Sequence, residues 1–287
     1  MNRQALLLLP LLLAAEGCSV VLAPGEVQCE TAADCTARGF ADAVCTSNVC
    51  EHAPVIDPVW GCLGSVVEAM PDKTKKVALS VKLTFAGDKS PVVGVNVDVC
   101  DKLDIDCTGK NPDSPKGLMS GPDGLVSFSV AQGFDGFVRL SSPQIIDSRI
   151  FVGRPIITPP TITEVRLLSK NDFTILANLA KEKADPTRGT SILLAVDCQA
   201  LPANGVSFQS PSIDAMSREF YLINQAPTTP PAATQTDVDG FGGFFNMPVG
   251  SAVARSFRAS DNTFVGESSF HILAETISYV QIAPTPK

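Results

Sequence analysis

Thr236-Asp237-Val238-Asp239-Gly240-Phe241-Gly242-Gly243-Phe244 is the stretch on which the fold turns. Asp and Gly supply the side-chain hydrogen bonds and dihedral freedom of a tight turn, and the Phe residues open an apolar strand. The stretch has an upstream counterpart, Gly121-Pro122-Asp123-Gly124-Leu125-Val126-Ser127-Phe128. Gly94-Val95-Asn96-Val97 aligns in the same way with Gly205-Val206-Ser207-Phe208, and Gly133 with Gly250. From the turn Asp to the later Gly is 10 residues in the first copy and 11 in the second. From the first Gly to that Asp is 29 and 34, the longer copy absorbing Pro-rich residues 226–233. Strand, loop, Asp-Gly turn and strand, repeated in order, read as one small sandwich built twice.

The flanking sequence supplies the other strands. Val77, Leu79, Val81, Leu83 and Phe85 alternate with polar or small residues, the period of a half-buried strand. Val93, Val95, Val97 and Val99 form a second alternation that leaves Cys100 on the polar face, and Val126, Phe128 and Val130 a third. Residues 137–140 and 161–168 are further candidates. In the second half, Ile192, Leu194, Val196 and Cys198 share one face, which points Cys198 inward. Strand patterns at 205–208, 220–223, 241–245, 253–257, 264–272 and 277–282 follow at the spacing of a β-sandwich. One helix interrupts them: Phe173, Leu176, Ala177 and Ala180 recur at helical spacing. Ser169 and Asn171 are its candidate N-caps and Pro186 lies beyond its end. The fold class is therefore mainly β, with two tandem antiparallel sandwiches and one short helix.

The sandwich pattern, Gly-Val-x-Val, then Thr-Asp-x-x-Gly-x-x-x-Phe, then Pro-x-Gly, resembles the transthyretin-like, carboxypeptidase-regulatory-like domains. The second copy carries it as Thr236, Asp237, Gly240, Phe244, Pro248 and Gly250. The first lacks the Thr-Asp opening and has Ala131-Gln132-Gly133 in place of Pro-x-Gly. The resemblance spans about 200 residues and rests on turn and core positions. It implies a fold and a non-catalytic role as spacer, stalk or accessory module.

The N-terminus names a compartment. Arg3 precedes an apolar run from Ala5 to Leu13, too short for a transmembrane helix and suited to a secretory leader. Ala14-Ala15-Glu16-Gly17-Cys18 then resembles the lipobox of bacterial lipoproteins, which implies an acyl chain on Cys18. Ser19 is similar to the residue that directs such proteins to the outer membrane. Ordinary cleavage, giving a secreted or periplasmic protein, is the alternative. No later apolar run approaches 18 residues, so the acyl chain is the membrane attachment that this reading provides.

Nine cysteines are many for a reducing compartment, and an odd number needs a reason. Setting Cys18 aside leaves eight. Cys29, Cys35, Cys45 and Cys50 crowd into 22 residues with almost no core between them, which calls for disulfides. Zinc would need close C-x2-C pairs or His ligands, and neither is present. Four cysteines allow three pairings, and sequence does not choose among them. Cys100 and Cys107 flank a loop that a bridge can close. Cys62 and Cys198 remain, either bridged to each other or to the Cys-rich module. The resulting organisation is a leader at 1–17, a tether and Cys-rich module at 18–58, a first sandwich at 59–168, a linker helix at 169–186 and a second sandwich at 187–287.

The chemistry is sparse. A net charge of −8 excludes a nucleic-acid footprint. There are two His, His52 in a linker and His271 in a strand read as solvent-facing. No nucleophile elbow, zinc-protease, phosphate-loop or dinucleotide motif occurs. Asp237-Val238-Asp239-Gly240 lacks the further acids of a calcium loop and reads as a turn. The acidic run Asp98, Asp101, Asp104 and Asp106 reads as a solvated strand end. Trp60, Phe241, Phe244 and Phe245 are the candidate binding residues, since aromatics beside Gly242-Gly243 have little cover; plain core is the alternative. No cofactor, metal or catalytic residue is expected. The sequence is that of a non-catalytic structural or interaction module of the cell envelope, or alternatively a carbohydrate- or peptidoglycan-binding accessory protein. Its expected partners are the membrane, through the anchor, and an unidentified protein or glycan.

Overall fold

The computed structural model describes residues 27–52, 57–109, 114–159 and 164–286. The leader, Cys18 and the start of the strand candidate at 161–168 lie outside the described residues. The chain divides into two compact units, residues 1–56 and 57–287.

The first unit is held by covalent staples. Helix α1 (Ala32–Ala37) is opened by the Asp34 carboxylate, which accepts from the amides of Glu30 and Thr31 at 2.9 and 2.8 Å. Strands β1 (Ala43–Thr46) and β2 (Val49–His52) pair antiparallel. Ser47 and Asn48 make the turn, both at positive φ, as a two-residue hairpin that follows the strand twist requires. Disulfides join Cys29 to Cys45 and Cys35 to Cys50, and the buried core is Cys29, Cys35 and Ala43. The Sγ atoms of Cys29, Cys35 and Cys50 lie within 4.8 Å of one another, but each is bonded to a second sulfur and offers no thiolate to a metal.

The second unit contains the repeat. Its first copy comprises β3 (Lys76–Phe85), β4 (Asn96–Asp101), β5 (Leu118–Met119), β6 (Leu125–Ala131), β7 (Gly136–Ser141), β8 (Ser148–Phe151) and β9 (Glu164–Leu167). Helix α2 (Lys170–Leu179) follows. The second copy comprises β10 (Gly189–Ala195), β11 (Val206–Gln209), β12 (Arg218–Ile223), β13 (Ala226–Thr228), β14 (Phe241–Met247), β15 (Gly250–Arg258), β16 (Phe264–Ile272) and β17 (Ile277–Ile282). In the first copy β6-β3-β9 faces β5-β4-β7-β8; in the second, β14-β10-β17 faces β11-β15-β16. The pairing pattern recurs strand for strand. β3 and β10 each hold one antiparallel neighbour, β6 or β14, and one parallel neighbour, β9 or β17.

Hydrogen bonds carry the repeat to atomic detail. The Thr236 hydroxyl accepts from Val206 N–H at 3.0 Å and donates to the Ala203 carbonyl at 2.7 Å. In the first copy the Ser120 hydroxyl accepts from Val95 N–H at 3.0 Å and donates to the Val92 carbonyl at 2.7 Å. Ser120 therefore takes the place of Thr236 in the first copy, in the same register that sets Asp123 against Asp239 and Gly124 against Gly240. The turns close alike, Gly124 N–H to Gly121 O and Gly240 N–H to Asp237 O. Both glycines have positive φ, +77° and +73°. A Cβ on Gly124 would collide with the Leu83 carbonyl oxygen, and one on Gly240 with that of Ala195. Glycine is thus required twice over at each turn.

The two sandwiches share a sheet. β17 pairs in parallel with β8, which merges β13-β12-β14-β10-β17 with β8-β7-β4-β5 into nine strands. The strand set is consequently antiparallel except for β3–β9, β10–β17 and β17–β8. Cores lie on both faces of the shared sheet. Val97, Val138, Ile192 and Phe245 pack with β3, β6 and α2, whereas Cys100, Phe137, Leu193 and Phe244 face the opposite way, toward the core that β11, β15 and β16 share.

Burial on both faces overturns several one-sided expectations. Cys100 is fully buried rather than on a polar face, and its disulfide to Cys107 sits against the second core. Asp98 is 5% exposed, not solvated; Arg139 Nε donates to it at 3.2 Å and the Gly117 amide at 2.7 Å. β10 ends at Ala195, so Cys198 lies in the following turn, bonded to Cys62. That bridge, with the hydrogen bond from Cys198 N–H to Val59 O, fastens the start of the unit to the end of β10. α2 is the helix expected around 173–180. Ser169 caps it, accepting from Asp172 N–H at 3.0 Å, and Ala177 and Ala180 enter the first core.

Candidate functional site

The shared sheet leaves one part of its first face uncovered. A cleft of about 690 Å³ lies there, floored by Ile150 of β8, Tyr279 of β17 and Ile192 and Leu194 of β10. Val165 and Arg166 of β9 and Leu176 of α2 also line it. Ile150, Val165, Leu176 and Leu194 are half-buried, although the strand and helix patterns mark Val165, Leu176 and Leu194 as apolar core positions. The cleft opens to solvent, and its volume falls in the range of small-ligand sites.

Its charged groups nearly balance. Arg154 and Arg166 line it with Glu68, Glu164 and Asp239, and Arg166 Nε lies 4.0 Å from Glu164. Glu164 also accepts from the Thr84 hydroxyl at 2.9 Å. Tyr279 is 9% exposed, and burial pushes its phenol above the usual value. Its hydroxyl is buried, and Tyr279 forms part of the floor.

Of the aromatics singled out in the sequence, Phe241 alone reaches the cleft, half-buried on its wall. Phe244 and Phe245 are each 1% exposed and point to opposite cores, because successive residues of β14 alternate between the faces of a sheet covered on both. They offer no surface to a ligand. Phe245 packs on Phe220, ring centroids 4.3 Å apart, and Phe173 of α2 lies 6.2 Å away. Trp60 is half-buried against the second core, two residues before the Cys62 bridge.

No catalytic set forms among the described residues. Ser251 Oγ lies 3.5 Å from His271 Nδ1, but no carboxylate orients that ring. Burial and then the charges of Arg149 and Lys102 hold the His271 pKa below its ordinary value. The Tyr221 hydroxyl donates to Glu219 and accepts from Phe208 N–H, a tie between β12 and β11. Arg149, 4% exposed, lies over the Phe137 ring at 4.8 Å, and its Nη1 has no partner. Burial, then Arg139, lowers its pKa. Asp98 is the counter-case. Burial pushes its carboxyl up, but hydrogen bonds from Arg139 and the Gly117 amide, with the charges of Arg139 and Lys116, outweigh this and leave it below the usual carboxylate value.

No family model matches the chain, and no curated protein does. Solved structures to which it is similar include the Bacillus anthracis TIE protein, at 11% identity and a TM-score of 0.23, over 74% of this chain and 34% of that one. The chain thus spans about a third of that protein's length. The shaft pilin SpaA of Lactobacillus rhamnosus GG is similar at 11% identity and a TM-score of 0.22, over 74% of this chain and 98% of that one. BcpA, the major pilin subunit of Bacillus cereus, follows at 10% identity and 0.23, over 73% and 69%. Superpositions this loose carry no argument about role. The sandwich architecture rests on the strand pairing itself.

Proposed function

We propose that the chain is a lipid-anchored protein of the cell envelope whose tandem transthyretin-like sandwiches act as a non-catalytic structural or interaction element. The carrying observation is the cysteine ledger. Nine cysteines occur, and eight are joined as Cys29–Cys45, Cys35–Cys50, Cys62–Cys198 and Cys100–Cys107. Complete pairing supports an oxidising compartment. It accounts for every cysteine but Cys18, which the sequence sets behind the apolar run and which this reading assigns to acylation. Among the described residues no helix is long and apolar enough to cross a membrane, which leaves attachment to the acyl chain in this reading. Ser19, directly after Cys18, favours the outer membrane in this reading. Burial of Phe244 and Phe245 leaves Phe241 as the one member of that Phe cluster beside the cleft, which favours the structural reading over the glycan-binding one.

Metabolic labelling with palmitate tests the anchor. Label is expected on the wild-type chain and absent from Cys18→Ser, with processing blocked by globomycin. Equal labelling of both would overturn it.

A further inference from the structure

We propose that the outer edge of β9 takes up an extended peptide of a partner protein as an added strand, laid over the apolar floor of the cleft. The inference deepens the interaction reading above and is independent of anchoring at Cys18, so either can fail alone.

The argument begins with the backbone. The Leu167 carbonyl accepts from Ala86 N–H on the β3 side. Alternation along the strand turns the N–H and C=O of Glu164 and Arg166 the other way, and both residues line the cleft. Among the described residues no backbone group pairs with that side of either, since β9 pairs with β3 alone. An open edge of this kind is a template for another strand. Its counterpart in the second copy shows such an edge filled: β17 pairs with β10 on one side and with β8 on the other.

The floor selects the side chains. Ile150, Ile192, Leu194 and Tyr279 make an apolar surface beneath the edge. A strand matching the four residues of β9 would run about 13 Å and set every second side chain on that surface. The near balance of charge around the cleft favours a peptide without strong net charge. A hydrocarbon ligand would cover the floor and leave the Glu164 and Arg166 backbone groups unpaired, whereas a peptide satisfies both.

A fluorescein-labelled peptide with the sequence of residues 146–153, which contains β8, is a concrete probe, titrated into the full mature chain with its disulfides intact. Saturable polarisation is expected. Two N-methylated versions decide the mode: one blocked at Ser148 and Ile150, the other at Arg149 and Phe151. Neighbouring N–H groups face opposite sides, so one version should bind about tenfold more weakly and the other nearly unchanged. Arg166→Pro, which removes an outward N–H from an edge strand that tolerates proline, should weaken the unmodified peptide similarly. Absence of saturable binding would overturn the proposal. So would equal loss in both methylated versions, or saturable uptake of methyl palmitate that the peptide cannot displace, which would assign the cleft to an apolar small molecule.

Discussion

Replacing Thr236 with valine removes one hydroxyl and keeps the shape of the side chain. Thr236 is 1% exposed, and its hydroxyl is the partner of Val206 N–H at 3.0 Å and of the Ala203 carbonyl at 2.7 Å. Neither backbone group can turn to water, because both belong to the entry of β11 into the core. Leaving a buried donor and a buried acceptor unsatisfied costs about 1–3 kcal/mol each, so Thr236→Val should lose about 1–5 kcal/mol after the added methyl is credited. Thr236→Ser is the control, since Ser120 makes the same pair of bonds in the first copy. It gives up one methyl and should lose about 1 kcal/mol. Equilibrium urea unfolding with the disulfides intact measures both, read as midpoint shifts at a common slope. Valine no more harmful than serine would refute the hydroxyl's role and the alignment of the two copies built on it.

Two further outcomes follow from the same physics. Cys62→Ser/Cys198→Ser opens a bridge across 136 residues, and Cys100→Ser/Cys107→Ser one across 7. If loop entropy dominates, the losses are about 5 and about 2 kcal/mol, and calorimetry should rank them in that order. Asp98 has a depressed folded pKa, so its contribution is present above the unfolded value of about 3.9 and is lost as pH falls through the folded one. Asp98→Asn should therefore be less stable than wild type near neutral pH, with the two denaturation midpoints converging in strong acid.

Much of the local structure was legible. The alternation over Val77–Phe85, the Asp-Gly turns and the Ser169 cap each have a cause within a few residues, and β3, the turns at Gly124 and Gly240, and α2 stand where those causes put them. β8 was not legible. Ser148-Arg149-Ile150-Phe151 is short, carries a charge and lacks clear alternation, yet it joins the two halves. Cys100 and Asp98 were misplaced for a related reason. Alternation reports which face of a strand is apolar, and it assigns the other face to solvent unless a second layer covers it. The candidate site was visible only through Phe241, because Leu194 and Tyr279 look like ordinary core in sequence and Ile150 lies in a strand the sequence does not show.

The sequence by itself determined the strand-rich composition, the repeat, the turn glycines and the crowding of cysteines near the N-terminus. These depend on period, dihedral preference and redox chemistry, which act over short distances along the chain. Tertiary structure alone decided that two sandwiches share nine strands, that the shared sheet is buried on both faces, and that a cleft opens beside β9. Each depends on which strand edges meet. An edge carries the same N–H and C=O groups whatever its side chains, so residues more than a hundred positions apart can pair, as Tyr279 and Ile150 do, without either segment announcing the other.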